Sequence, residues 1–288
     1  MVNSEWGTWF ISEEVEAADP DGLSVWYLGC NGFILRTNTT TVYIDPYFGT
    51  GDPPNTIRMI PIPMDPSDAT ECDAVLVTHE HIDHMHPPSY GPLIENGADI
   101  HAPQAAYDMP DYDGDMLVSD SDDRKHVIEE GDRFTVGDLT VHVRGANDPD
   151  AIEPISFVVE HTSGTFFHAG DSRPAEEFET LPDEFDIDVG VLALGTVGNI
   201  YKPESGAAEV TDWYNDENQL IEAANALSLP RLLPSHHDMW KGVGADPNVL
   251  HEHARSYEFP KLIEVVEIGD RIRMDEPGIV RPAALRDD

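Results

Sequence analysis

Three imidazoles and one carboxylate fall within residues 79–84, directly after an apolar run typical of a buried strand. Imidazole and carboxylate ligands together suit a borderline divalent cation such as zinc, manganese or iron. Because the segment reads as a turn and not as a helix, His79 and His81 can converge on one ion while Asp83 and His84 face a second. The spacing therefore predicts a centre for two metal ions.

Two later segments carry further candidate ligands where a predicted strand ends. Asp171 follows the strand expected at 165–168, and a carboxylate there can bridge two cations. His236 and His237 follow the strand expected at 231–234, and one of the two would close the second metal position. Alone, Asp171 could be a turn residue and the histidines a surface pair. Ligands at three separate strand ends favour the metal centre.

The elements that must position these ligands are short strands interrupted by helices. Segments rich in β-branched and aromatic residues, separated by turn residues, predict strands at 24–28, 32–36, 41–44, 74–77, 99–102, 133–136, 139–143, 155–160, 165–168, 189–194 and 231–234. Helices are predicted at 88–96, 103–109 and 216–227. Two strand-rich halves with helices between them predict two sheets packed face to face, with the ligands at one edge. The proline-rich stretch 52–68 is expected to be a covering loop.

The metal motifs resemble those of the metallo-β-lactamase superfamily. Within it, the chain resembles the L-ascorbate-6-phosphate lactonase group over most of its length, through Trp-Gly-Thr-Trp at residues 6–9, Leu-Gly-Cys-Asn-Gly at 28–32 and His-His-Asp-Met-Trp at 236–240. The resemblance implies the α/β class and an αββα sandwich, in which two mixed β-sheets are flanked by helices. No repeat, linker or compositional break divides the chain, so a single domain over residues 1–288 is expected.

The resemblance also implies a role for each candidate residue. The metal ligands would be His79, His81, Asp83, His84, Asp148, Asp171 and His236. Asp171 would bridge the two ions, which we expect to be zinc or manganese. Asp83 and His237 are the expected catalytic residues, because either could move a proton toward the leaving alkoxide. Asp45 either orients a ligand histidine or is a plain turn residue before Pro46.

Asp148 marks a departure from the superfamily pattern. Members commonly place another histidine after the strand that precedes the bridging carboxylate, whereas His142 lies inside that strand here and Asp148 follows it. An aspartate oxygen is a harder ligand than an imidazole nitrogen, so the site would be more tolerant of manganese. The lactonase group resembles this chain at that position. If Asp148 is instead a turn residue before Pro149, the first metal is weak or absent.

The net charge of the chain restricts the classes of partner that it is expected to bind. Its 288 residues carry 56 acidic and 16 basic side chains, a formal net charge of −40. Such a field repels phosphate backbones and anionic lipid, so we expect a small-molecule substrate, no nucleic acid and no membrane. The mutual repulsion of so many acidic side chains would be relieved in ~1 M salt, where the screening length falls to about 3 Å. The composition therefore resembles that of proteins from salt-loving microbes. Calcium binding by the acidic run 111–123 is the alternative.

Three further expectations concern the cellular setting. Residues 1–5 lack the pattern of a signal peptide and no stretch approaches roughly 20 apolar residues, so a cytoplasmic protein is expected. Cys30 and Cys72 are expected to be buried core thiols. The resemblance to the lactonases implies self-association into a homo-oligomer.

Together these features predict a metal-dependent hydrolase, most like a lactonase that opens a sugar-acid lactone similar to ascorbate 6-phosphate. Two bound cations would supply an activated water and a Lewis acid for the carbonyl. A phosphodiesterase for a small or lipid-like substrate and a non-catalytic metal-binding module are the alternatives. Few cations could bind a substrate phosphate, namely Arg58, Arg173 and Lys241, and such residues more often pair with surface acids.

Overall fold

The computed structural model describes residues 2, 4–54, 56–114, 123–195, 197–202 and 205–286. Asp115, Asp120 and Asp122 of the acidic run, on which the calcium alternative depends, lie outside these residues. The strands are β1 (Ser24–Gly29), β2 (Gly32–Arg36), β3 (Thr41–Ile44), β4 (Ala74–Leu76), β5 (Asp99–Ala102), β6 (Lys125–Val127), β7 (Arg133–Val136), β8 (Leu139–Gly145), β9 (Ile155–His161), β10 (Gly164–His168), β11 (Val189–Ala193), β12 (Val197–Lys202), β13 (Ala207–Asp212), β14 (Arg231–Ser235), β15 (Leu262–Ile263), β16 (Arg271–Arg273) and β17 (Ile279–Val280). The α-helices are α1 (Pro87–Glu95), α2 (Gln104–Asp108), α3 (Leu181–Glu184), α4 (Glu217–Ala226) and α5 (Leu250–His253).

The strands form two large mixed sheets and a separate hairpin. The first sheet has the order β17-β16-β1-β2-β3-β4-β5-β6, antiparallel up to β3 and parallel from β3 to β6. The second has the order β15-β14-β11-β10-β9-β8-β7, parallel from β15 to β10 and antiparallel beyond it. In the described part of the chain, strands β12 and β13 pair with each other and with no other strand.

The alternation of side chains along each strand builds three apolar layers. In β1, Val25 and Tyr27 belong to the core between the two sheets, to which the second sheet contributes residues such as Phe157 and Val191. Trp26 points to the opposite face of the first sheet and belongs to a different apolar layer. Because successive strand residues point to opposite faces, a strand that is buried on both sides needs apolar residues at nearly every position. This explains the unbroken apolar runs that the sequence shows.

Helices cover the outer faces of both sheets. Residues of α1 and of the helical segment Phe10–Val15 pack on the outer side of the first sheet, and residues of α3 and α4 pack on the outer side of the second. Asp216 begins α4 with a capping box, because its side chain accepts from Gln219 N while the Gln219 side chain accepts from Asp216 N. The layers follow the order helix, sheet, sheet, helix, so the predicted αββα sandwich is confirmed.

Three strand ends at one edge of the sandwich carry six of the seven candidate ligands, and the seventh, Asp148, follows β8. β4 runs into residues 79–84, β10 into Asp171 and β14 into His236. The parallel pairing of β10, β11 and β14 brings two of these ends together within one sheet, and the sheet packing brings β4 to them. Among the described residues, no helix is long and apolar enough to cross a membrane.

Candidate metal centre

Four side chains from three strand ends form the more buried of two ligand groups. They are Asp83 and His84 after β4, Asp171 after β10 and His236 after β14, and one ligand atom of each lies within 4.8 Å of the others. His236 Nε2 lies 2.9 Å from Asp83 Oδ2, and His84 Nε2 lies 3.2 Å from Asp171 Oδ2. All four residues are buried, and we call this group the inner position.

The second group, the outer position, opens toward solvent. It contains His79, His81, Asp148 and the same Asp171. His79 Nε2 lies 2.9 Å from His81 Nδ1, and Asp148 Oδ2 lies 3.6 Å and 3.7 Å from those two nitrogens. The side chain of His81 is 24% exposed, so this group is reached directly from the surface.

Asp171 joins the two positions through one oxygen. Its Oδ1 accepts a hydrogen bond from Asn31 Nδ2 at 3.0 Å, which fixes the carboxylate and leaves Oδ2 for the metals. The distances from Oδ2 to imidazole nitrogens are 3.2 Å to His84, 3.7 Å to His236 and 4.0 Å to His79. The predicted bridging role of Asp171 therefore agrees with the geometry.

Gly170 lets the chain bring Asp171 to this place. Its φ is +60°, in the left-handed region, and a Cβ added there would lie 3.0 Å from Thr78 Cβ and 3.1 Å from Thr78 Oγ1. A side chain at this position would be strained and would collide with the turn after β4. The glycine thus permits close approach of the turns that carry Asp171 and the first ligands.

Asp45 orients a ligand, which settles a choice that the sequence left open. Both oxygens of Asp45 accept from Thr78, from its backbone N at 2.9 Å and from its Oγ1 at 2.7 Å. Asp45 Oδ2 lies 2.8 Å from His84 Nδ1, and neither side chain is exposed. This contact directs His84 Nε2 toward the inner position, in the way that carboxylates commonly support metal-binding histidines.

Asp148 is both a turn residue and a candidate ligand. Its Oδ1 accepts from the backbone N of Asp150 at 3.1 Å, as in an Asx turn, while Oδ2 faces His79 and His81. The two readings of Asp148 are therefore compatible. His142, by contrast, lies within β8 and contacts Glu160 at 2.6 Å, away from both positions, as the sequence predicted.

The charges of the two positions influence each other strongly. Burial raises the pKa of Asp148 to about 6, and the carboxylate of Asp171 adds to that rise. Burial also acts to raise the pKa of Asp171, but His84 and His236 outweigh it and hold the pKa well below its usual range. Burial lowers the pKa of His79, so this imidazole is neutral and its lone pair is available to a cation.

Two residues of the centre were not predicted as such. Cys30 is fully buried, as expected of a core thiol, but its Sγ lies 3.3 Å from His236 Nε2 and 3.5 Å from Asp83 Oδ2. The ring of Tyr214 stacks on His236 with a centroid distance of 4.1 Å. The turn 29–32, rich in glycine and placed at a strand end, was the available signal for Cys30. No comparable signal marks Tyr214.

His237 lies beside the centre and outside both ligand groups. It is 8% exposed, and its Nε2 is buried without a hydrogen-bond partner among the described residues. His237 does not line the cleft above the metals, whereas Asp83 does. The proton role expected of His237 stays a prediction, and Asp83 is the better placed of the two.

A cleft of about 640 Å³ opens above the outer position. Its lining comprises Thr56, His81, Ile82, Asp83, Asp111, Asp148, Asp150, Asp171, Arg173, Asp212, Trp213, Tyr214 and Trp240. The proline-rich stretch covers this edge as predicted, since Met59 N donates to Met239 O at 2.8 Å and Lys241 N donates to Ile57 O at 3.0 Å. The lining therefore combines three aromatic side chains with several carboxylates.

Of the three cations considered for a substrate phosphate, one lines the cleft. The guanidinium of Arg58 is used within the covering loop, where it donates to the carbonyl oxygens of Tyr47, Ile60 and Pro61. Lys241 is exposed and lies outside the lining. Arg173 remains, and its Nη2 donates to the carbonyl oxygen of Asp212 at 3.1 Å.

The donor set fits a pair of divalent cations. Each position combines two imidazoles with two carboxylates, one of them shared, and the cited distances between donor atoms run from 2.9 to 4.0 Å. Burying several imidazoles and carboxylates this close together costs solvation free energy, and a cation bound among them would offset that cost. Zinc and manganese both suit such ligands.

The comparisons with known proteins agree with this geometry. The model of a family described as "Beta-lactamase superfamily domain" matches residues 40–237, which include all seven candidate ligands. The "Probable L-ascorbate-6-phosphate lactonase UlaG" of Escherichia fergusonii is 28% identical over 290 aligned positions, covering 84% of this chain and 77% of that protein.

Solved structures share the fold. Igni18, a metallo hydrolase from Ignicoccus hospitalis, superposes with a TM-score of 0.61 at 17% identity, over 87% of this chain and 97% of that one. The metallo-beta-lactamase fold protein YhfI of Bacillus subtilis gives 0.59 at 16% identity, over 88% and 99%. At these identities the likeness concerns architecture alone.

Proposed function

The chain belongs to the β-lactamase superfamily and is a metallohydrolase, and from that premise we propose that it opens a sugar-acid lactone. The observation that carries the proposal is the pair of ligand groups that share Asp171 at the floor of one cleft. The similarity to a protein named as a lactonase supplies the reaction class.

The metal centre accounts for the chemistry of ring opening. Divalent ions held by these ligands supply an activated water and a Lewis acid for the carbonyl. The outer ligands His81 and Asp148 face the cleft, so a bound ester carbonyl approaches from that side. Asn31 and Asp45 hold Asp171 and His84 in place before substrate arrives, which keeps the electrostatic environment organised.

The side chains of the cleft account for binding and proton movement. Trp213 is partly exposed and lines the cleft beside Tyr214 and Trp240, so its ring is available for a sugar ring to stack against. Asp83 lines the cleft and contacts His236 at 2.9 Å, so its carboxyl group is placed to move a proton toward the departing alkoxide. Asp83 would thus be a ligand at the inner position. Because His84 and His236 outweigh burial and hold the pKa of Asp83 below its usual range, this carboxylate would first take a proton from the attacking water and then pass it to the alkoxide.

The charge of the lining favours a lactone without phosphate. Beyond the metal ligands, the cleft contains Asp111, Asp150 and Asp212, against one permanently charged cation among the described lining residues, Arg173. Arg173 already donates to a backbone carbonyl. A dianionic phosphate that lies against these carboxylates would be repelled.

A matched substrate pair tests the proposal. The protein is purified in molar salt with zinc or manganese, and hydrolysis of one sugar-acid lactone is measured with and without its phosphate, beside an activated phosphodiester. We expect kcat/KM to be at least about tenfold higher for the lactone without phosphate, since one unfavourable charge contact of 1.4 kcal/mol gives that factor. His142→Gln is the control variant, because His142 lies away from the cleft.

Each outcome has a distinct meaning. Lactone opening that disappears in His81→Ala supports the proposed reaction. A preference for the phosphorylated lactone would refute the charge argument while keeping the lactonase. Cleavage of the phosphodiester alone would replace the lactonase by the phosphodiesterase alternative, and bound metal without turnover of any of the three would favour the non-catalytic module.

A further inference from the structure

A second cluster of metal-ligating side chains lies at the far edge of the first sheet, away from the cleft. Asp99 and His101 occupy β5, and His126 occupies β6, the last strand of that sheet among the described residues. One ligand atom of each lies within 4.8 Å of the other two. None of these residues belongs to either position of the metal centre.

The strand register brings the three side chains to one face. Asp99 and His101 are two residues apart, and successive even steps along a strand point the same way. The parallel register pairs His101 with His126, so their rings are direct neighbours, and they stack with a centroid distance of 4.5 Å at 16°. His126 Nε2 lies 3.4 Å from Asp99 Oδ2.

Each of the two imidazoles has a buried nitrogen without a hydrogen-bond partner in the part of the chain that the structure describes. His101 is 8% exposed, and its Nδ1 is buried without a hydrogen-bond partner among the described residues. The same is true of His126 Nε2, although the side chain of His126 is 39% exposed. Buried polar atoms without partners are uncommon and costly, so each calls for an explanation such as an ion.

The surroundings hold the cluster in a defined geometry. The ring of His101 lies between His126 and Phe134, and it is parallel to Phe134 at 4.2 Å with an angle of 5°. Phe134 comes from β7, the edge strand of the second sheet. The hydroxyl of Tyr107 lies 3.0 Å from Ile100 O and 3.1 Å from His126 O, which ties β6 to β5.

We propose that Asp99, His101 and His126 form a third site for a divalent transition metal, of the zinc class, that ties β6, the edge strand of the first sheet, to β5. Two imidazoles and one carboxylate form a ligand set that suits zinc and leaves a fourth place for water. Asp99 is 47% exposed at its side chain, so an ion has access from solvent. β6 has three residues and lies at an edge, where an added tie between strands matters most.

A competing explanation needs no metal. His126 would form an ion pair with Asp99, and His101 would contribute only its ring to the stack. His101→Phe separates the two readings, because phenylalanine keeps the stacking surface and removes the nitrogen, while the pair of His126 and Asp99 is retained. His126→Gln is the second variant, at a half-exposed position where misfolding is of less concern.

The test counts zinc ions. The chain is stripped with a chelator, reloaded with zinc in molar salt and freed of excess metal, and zinc per chain is measured by elemental analysis together with Tm. We expect His101→Phe and His126→Gln to bind one ion fewer than the unmodified chain and to lose part of the rise in Tm that zinc gives. The matched control is His142→Gln, whose histidine also faces a carboxylate but has no second imidazole.

A background variant separates this site from the metal centre. In His84→Ala, Asp171→Ala, which lacks ligands of both positions, one ion should remain and should be lost on adding His101→Phe. Equal zinc counts in the unmodified chain and in His101→Phe would overturn the proposal. So would an equal loss in His142→Gln, because that would indicate general binding by the acidic surface.

Discussion

The inner and outer metal positions share Asp171 but differ in how their ligands are held. All four inner ligands are buried, and Asp45, Cys30 and Tyr214 contact the two inner imidazoles. At the outer position His81 is partly exposed, and Asp148 is supported by its own turn. The inner position is therefore organised by the sandwich, whereas the outer one depends on loops.

This difference suggests that the ions at the two positions have different roles. A position with rigid, desolvated ligands holds its ion firmly, whereas a position beside open solvent exchanges its ion and can admit a substrate oxygen. Three of the four outer ligands line the cleft, including both His81 and Asp148, whereas the two inner imidazoles of His84 and His236 do not. We therefore expect the inner ion to be the structural anchor of the centre and the outer ion to meet the substrate.

Removing Asp171 should disrupt the inner and outer positions together. Asp171→Ala deletes the carboxylate that both positions share, so both ions should be lost or greatly weakened and turnover should fall by roughly 10³-fold or more, as when a principal electrostatic contact is removed. Metal content and kcat measured on the same sample check this. Retention of one tightly bound ion would show that Asp171 serves only one position.

A chelator should remove the ions from the two positions one after the other. During timed treatment with a chelator, we expect activity to be lost in a fast phase that removes one ion per chain, because the outer ligands are the more exposed. The second ion should leave in a slower phase. Asp148→Ala should accelerate the fast phase alone, and loss of both ions at a single rate would contradict the proposed difference.

Asp45→Asn should weaken the inner position selectively. The amide keeps the size of the carboxylate but supports His84 less well, so metal affinity there should fall by roughly 10- to 100-fold while the outer position changes little. Titration of the stripped protein with zinc measures both. Asp188→Asn is the control, since Asp188 accepts from Thr165 N far from the ligands.

Gly170→Ala should have the smallest effect and should disturb both positions alike. The left-handed backbone and the close approach to Thr78 should destabilise the fold by about 1–2 kcal/mol, which thermal unfolding of the metal-free protein measures. Gly206→Ala has a similar φ of +66° with open space around its Cβ, so it reports the backbone cost alone. An equal loss of stability in both variants would argue against crowding at Thr78.

Much of the metal centre could be predicted because its ligands lie where strands end. The alternation of apolar residues located most of the strands, and polar side chains at their ends had to meet at one edge of the sheets. The hairpin of β12 and β13 was not predicted, since it pairs with neither large sheet and shows no buried face in sequence. The aromatic residues that follow it were missed for the same reason.

Contacts between distant segments could not be predicted. Cys30 and His236 are 206 positions apart, and Asn31 and Asp171 are 140 apart, so no local pattern links them. The proposed third metal site could not be predicted from the sequence for the same reason. Asp99, His101 and His126 become neighbours only through the register of β5 and β6, and Phe134 reaches them from the other sheet.

The sequence by itself determined the chemistry of this protein: the ligand types, their place after buried strands, the acidic surface and the family. Those properties follow from residue identity and local periodicity, which act over a few positions. Only the tertiary structure decided that Asp45 supports His84, that Cys30 and Tyr214 contact His236, and that Arg58 binds its own loop. These depend on the packing of two sheets, because only packing sets distances between residues that are remote along the chain.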